Sequence, residues 1–177
     1  MDALQKRIDR AWRACQDWIT EFDGSASETY LTGVDTGALP QAFQSLAQQA
    51  QDFRVSIISG EDEEAAQFIP PEALQNNVDR LLRDEIVGLN ANYSAHLESF
   101  DLDVHLVVET VGQRQVDLEL IWWADQVFSE EGEAYEAFKT LLGYFTGLQD
   151  LFHARRLYLG PESLDRPTPK STDWIEV

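Results

Sequence analysis

The chain has 177 residues, 44% of them hydrophobic, with 32 Asp and Glu against 13 Lys and Arg, a formal net charge of -19. That length and apolar fraction predict a folded core and exclude a disordered acidic tail. The charge repels nucleic-acid phosphates and anionic lipid and attracts basic partners, so nucleic acid and membrane are both disfavoured as binding targets.

The segment from Met1 to Arg13 mixes charges and lacks the apolar run of a signal peptide. No stretch reaches the roughly 20 apolar residues of a membrane span. Cys15 is the single cysteine, which excludes an internal disulfide. A single α+β domain over 1–177, located in the cytoplasm, is the expectation. The charge is also concentrated: Asp84 to Glu136 holds 13 acidic residues and one basic residue, Arg114. Solubility alone accounts for such a charge, and so does a salt-adapted host, which would fit the few lysines (Lys6, Lys139 and Lys170). Ten arginines speak against the second.

In chain order, Leu4, Ile8, Ala11, Trp12, Cys15, Ile19 and Phe22 follow one helical face, and Asp23-Gly24 stops the helix. Cys15 on that face reads as a small core residue. Lys6, Arg7, Arg10 and Arg13 lie on or beside the other face, placed to pair with the acidic part of the chain. Residues 24–38 read as a loop or short strand around Tyr30-Leu31-Thr32. A helix follows from Pro40 to Gln51, with Phe43, Leu46, Ala47 and Ala50 inward, and then a strand from Phe53 to Ser59. Glu61-Asp62-Glu63-Glu64 is a solvated loop, and Pro70-Pro71 opens a helix carrying Leu74, Val78, Leu81 and Leu82. Tyr93 to Leu97 adds a strand. Ser129 caps a long C-terminal helix, with Glu130, Glu131 and Glu133 at its positive end and Arg155 and Arg156 at its negative end. In that helix Gly143 and Gly147 mark a close approach of a neighbouring element. Residues 160–173 are irregular, and Trp174-Ile175-Glu176-Val177 returns to dock.

The strongest local pattern is a β-hairpin. Leu102, Val104, Leu106 and Val108 alternate with polar residues, as do Val116, Leu118, Leu120 and Trp122. Centring the turn on Gly112 places Val108 near Val116 and Leu106 near Leu118. His105 then lies opposite Glu119, Val107 opposite Asp117, and Asp101 near Trp123. The fold class is α+β: a small antiparallel sheet built around the 101–123 hairpin, packed against N-terminal and C-terminal helices.

The polar face of the hairpin is the candidate site. Asp101, Asp103, His105, Asp117 and Glu119 supply a negative field, and Trp123 supplies an aromatic anchor beside Val107 and Ile121. This pattern predicts a non-enzymatic surface for a basic protein partner, with no cofactor, unless Val107, Ile121 and Trp123 lie under a helix of the same chain. In size and charge the chain is similar to small acidic immunity proteins that neutralise basic bacterial toxins. Two alternatives stay open. One is a small acidic secretion chaperone or adaptor, which carries a homodimer with it. The other is a metal-dependent enzyme using Asp103, His105 and Glu119, because His and carboxylate are competent ligands. The chain has no G-x-S-x-G, no G-x-x-x-x-G-K, no C-x-x-C and no H-E-x-x-H.

Overall fold

The computed structural model describes residues 3–20, 26–58, 67–70, 73–111, 115–128, 133–161, 167 and 174–177. Among these residues are five helices and eight strands. In order they are α1 (Ala3–Ile19), β1 (Ala26–Val34), α2 (Leu39–Gln49), β2 (Gln51–Ile58), β3 (Gln67–Ile69), α3 (Leu74–Leu82), β4 (Gly88–His96), β5 (Asp101–Thr110), β6 (Val116–Trp123), α4 (Ala124–Val127), α5 (Ala134–Leu151), β7 (Arg156–Pro161) and β8 (Ile175–Glu176). All strands join one antiparallel sheet in the order β3-β2-β4-β5-β6-β1-β7-β8, with the β5–β6 hairpin at its middle. The fold is α+β, as the sequence predicts, though the sheet is larger than the hairpin alone announces.

Period-two alternation sends one face of the sheet to the helices. Leu102, Val104, Leu106 and Val108 of β5 and Val116, Leu118, Leu120 and Trp122 of β6 are buried there. They join Ile8, Ala11, Cys15 and Ile19 of α1, Phe43 of α2, and Phe138, Leu141 and Phe145 of α5 in one core. Each fully buried Leu or Phe contributes about 1.5–3 kcal/mol. Cys15 has no exposed surface, and burial pushes its thiol up to about 12. It is a core residue.

Several elements differ from the sequence expectation. The loop or short strand expected around Tyr30-Leu31-Thr32 is a central strand of nine residues, β1. Its inward positions are Ser27, Thr29 and Leu31, so two hydroxyls stand where an apolar alternation would have revealed it. Thr29 is held by Trp122, whose Nε1 donates to Thr29 Oγ1 at 3.1 Å. α5 begins at Ala134 with Glu133 before it, while Ser129 and its neighbours to 132 lie outside the described residues, as do Glu61 to Glu64. At its other end α5 stops at Leu151, and Arg156 belongs to strand β7. Gly143 and Gly147 face outward, and a Cβ added at either would meet nothing within 4 Å, so they mark no close approach.

The close approach is at Gly160 instead. A Cβ there would stand 2.5 Å from the ring of Trp174. Trp174 lies over that strand and meets Tyr30 edge-on, ring centres 5.0 Å apart. The basic side of α1 secures the same segment: Arg7 Nη2 donates to Val177 O at 3.0 Å and Arg10 Nη2 to Glu176 O at 3.2 Å. These cations thus meet backbone carbonyls of β8 and its flank.

The end of α5 is closed by His153 N–H donating to Asp150 O at 3.2 Å and Ala154 N–H donating to Gln149 O at 2.9 Å. This cap puts His153 at φ 48, a left-handed conformation that favours glycine. His153→Gly is expected to stabilise the fold by about 0.5–1 kcal/mol. Its exposed pairing with Asp35, Nδ1 to Oδ2 at 3.9 Å, contributes little in opposition. Urea unfolding of the two proteins checks this, and a lower midpoint for the glycine variant would refute it.

Candidate partner-binding face

The second face of the sheet carries the hairpin's polar residues. The hairpin register is shifted by two residues from the expected one. His105 pairs with Ile121, Val107 with Glu119, Glu109 with Asp117, and Thr110 with Val116. The reason is length: β5 runs on through Glu109 and Thr110, and Val111 N–H donates to Gln115 O at 2.8 Å across the turn. A two-residue shift preserves which side chains face the core, which is why the burial pattern survives it. It does change partners. Glu119 stands beside Val107 and Tyr30, not opposite His105.

Each candidate residue can now be placed. Asp101 is exposed at the sheet's end and pairs with His96 Nδ1. Asp103 is exposed and oriented by neutral donors: Ser94 Oγ donates to its Oδ1, and Gln126 Nε2 donates to its Oδ2 at 2.9 Å. Gln126 Oε1 also accepts the Asp103 N–H at 3.1 Å, so α4 clamps this residue from both sides. His105 donates through Nδ1 to Asn92 Oδ1 at 2.6 Å, and burial holds its pKa below the ordinary histidine range. It therefore brings no positive charge to the face near neutral pH.

Glu119 is half-buried against Tyr30, whose phenol is pushed up by burial first and by Glu119 second. Val107, Ile121 and Trp123 are half-buried: they are partly covered, yet still reach the surface of this face. Trp123 lines a cleft of about 450 Å³ with Asp52, Arg54, Asn92, Tyr93, Ser94, Asp103, Val104 and His105. The far wall of this cleft is not among the residues the sequence singles out. Asn92 and Ser94 come from β4, paired with His105 and Asp103, and Arg54 comes from β2, paired with Asn92. The polar alternation of Asn90, Asn92 and Ser94 is the signal that points to it.

Asp117 stands apart from the others. It is 8% exposed, and its Oδ1 accepts the Gly33 N–H at 2.8 Å. Gly33 sits at φ 66 in the β1 bulge between Leu31 and Val34. Asp117 therefore fixes the bend of a central strand. Asp117→Ala is expected to destabilise the protein by about 1.5–3 kcal/mol, because the Gly33 N–H loses a charged acceptor. Equilibrium urea unfolding measures this, and a change below experimental error would remove the assigned role.

The metal alternative finds no cluster to rest on. Among the described residues, no three His, Cys, Asp or Glu side chains stand together as ligands. No helix among them is long and apolar enough to cross a membrane.

Fold and face together define an α+β protein with α1, α2 and α5 packed on one face of an antiparallel sheet and an acidic face on the other. The fold is similar to that of a chain in the crystal structure of the toxic C-terminal tip of CdiA from Pseudomonas aeruginosa in complex with immune protein. The TM-score is 0.50 and the identity 20%, covering 78% of this chain and 86% of that one. No protein-family model and no curated protein matches the sequence.

Proposed function

We propose that this protein is a non-enzymatic inhibitor of a basic protein toxin, an immunity protein that acts through the outer face of its sheet. The observation that carries the reading is the layout of that face. Acids (Asp101, Asp103, Glu109 and Glu119) surround a half-buried centre of Val107, Ile121 and Trp123. Protein interfaces share this anatomy, an apolar and aromatic centre within a charged rim. The fold likeness to a chain of a toxin–immune-protein complex supports the same reading. Of the two roles in such a complex, the immune protein suits a chain of net charge -19, whose field accelerates encounter with a basic surface. Asp101, Asp103, His105, Glu119 and Trp123 form the contact surface in this proposal, and Asp117 supports β1 beside it. The expected place of action is the cytoplasm, where a single reduced cysteine suffices.

The test is affinity capture from the native host with the wild type beside a variant carrying Asp101→Lys, Asp103→Lys and Glu109→Lys. All three side chains lie on the outer face, and circular dichroism confirms that the variant folds. A basic protein held by the wild type and lost by the variant is the expected result. Identical capture by both proteins would overturn the assignment of the face.

A further inference from the structure

We propose that the cleft beside Trp123 is an arginine-anchor subsite, which receives one guanidinium of the protein partner between the Trp123 indole and the Asp103 carboxylate. This deepens the preceding reading and rests on it for the partner's basic character. Two separate features of the cleft point to such an occupant.

The first is an aromatic wall. Trp123 is a half-buried indole that lines a cleft of about 450 Å³ together with the polar side chains of Asp52, Arg54, Asn92, Ser94, Asp103 and His105. The space accepts a side chain and is too small for a helix. A planar guanidinium stacks on an indole face, which an ammonium does less well.

The second is the state of Asp103. Its two oxygens receive hydrogen bonds only from Ser94 and Gln126 among the described residues, and both donors are neutral. The carboxylate is therefore held in position with its charge uncompensated. That geometry suits two-point donation by an arginine without reordering the site. His105, on the same wall, donates to Asn92 and adds no charge. The cation of the cleft, Arg54, is exposed and stands on β2 beyond Asn92, with Asp52 also lining its side. With Asp52 and Asp103 against the single cation Arg54, and with His105 neutral, the lining keeps a net negative formal charge.

The experiment is an NMR titration of the ¹⁵N-labelled full chain with N-acetyl-arginine amide, and separately with N-acetyl-citrulline amide, its neutral isostere. The Trp123 indole N–H signal is assigned by Trp123→Phe. With the arginine compound, the Trp123 indole and the amides of Ser94 and His105 are expected to shift and saturate together. The citrulline compound is expected to leave them in place. Asp103→Asn keeps the shape and both hydrogen-bonding neighbours, and should weaken arginine binding about tenfold. Equal shifts with citrulline, shifts confined to other residues, or unchanged binding by Asp103→Asn would each overturn the subsite. The two proposals fail separately. If the arginine compound leaves Trp123 unmoved while the triple-lysine variant still loses its captured partner, the subsite falls and the acidic face stands. If arginine binds here but capture ignores the triple variant, the inhibitor reading loses its surface.

Discussion

Trp122→Ala is expected to destabilise the protein by about 3–5 kcal/mol, whereas Trp123→Ala one residue later changes stability by about 1 kcal/mol or less. Neighbours on a strand point to opposite faces, so the pair divides structure from surface. Trp122 has no exposed area and is among the largest fully buried side chains. Its ring packs on Phe145 of α5 at 5.8 Å, tying the sheet to that helix. Its Nε1 also donates to Thr29 of β1. Truncation therefore opens a cavity at the junction of β6, β1 and α5 and leaves the Thr29 hydroxyl without this donor. The cost adds the lost transfer energy to the cavity left behind. For a chain of this length it corresponds to a fall in Tm of about 10 °C. Trp123 is half-buried on the opposite face and outside the core cluster, so its removal leaves the core closed. Denaturant unfolding of both variants decides the matter. A comparable loss from the two would show that Trp123 is buried by something beyond the described residues, and would take away its role as an anchor.

Much of this arrangement is legible in the sequence, for a physical reason that also explains the gaps. The hairpin, α1, α2, α3 and β2 announce themselves because their inward positions are apolar. Ile8, Ala11, Cys15 and Ile19 repeat at the helical period, and Leu102 to Val108 repeat at the strand period. β1 shows only as a loop or short strand at Tyr30-Leu31-Thr32 because its inward side carries Ser27 and Thr29, the latter hydrogen-bonded to Trp122. β7 reads as the tail of α5 because Leu151, Phe152 and Leu157 continue a plausible helical stripe. The break falls at His153, a residue with no special turn preference, held at positive φ by the cap. The hairpin register moves by two residues because hydrophobic matching fixes only the parity of pairing. The turn and its flanking Glu109 and Thr110 fix the rest. Sequence reasoning therefore assigns the hairpin side chains to the correct side of the sheet but gives them the wrong neighbours across it. Alternation alone puts Asp117 on the surface, yet the bulge in β1 turns the Gly33 N–H toward it. The cleft is legible only in part: the alternation of Asn90, Asn92 and Ser94 marks one polar wall, but bringing β2 and β4 beside β5 needs a strand order that no local pattern writes.

Once the captured partner is in hand, Trp123→Ala is expected to weaken the complex by about 2 kcal/mol or more, roughly 30-fold in Kd, chiefly by faster dissociation. Asp101→Asn is expected to act differently. Trp123 lies beside both the cleft and the apolar centre of the face, where in the proposed complex a partner would exclude water and each contact would be made in a low dielectric. Asp101 stands exposed at the sheet's end, already paired with His96. A rim charge of this kind mainly steers encounter, so its loss should slow association by a modest factor and reduce the salt dependence. Its effect on affinity should stay within about 1 kcal/mol. Association and dissociation rates of wild type and both variants, measured at low and at about 0.15 M salt, separate the two behaviours. Fast dissociation from Trp123→Ala at both salts, with slowed association from Asp101→Asn only at low salt, is the pattern the face implies. Small and equal effects from both, independent of salt, would place the contact surface elsewhere on the molecule. The net charge would then act on solubility and on long-range attraction alone.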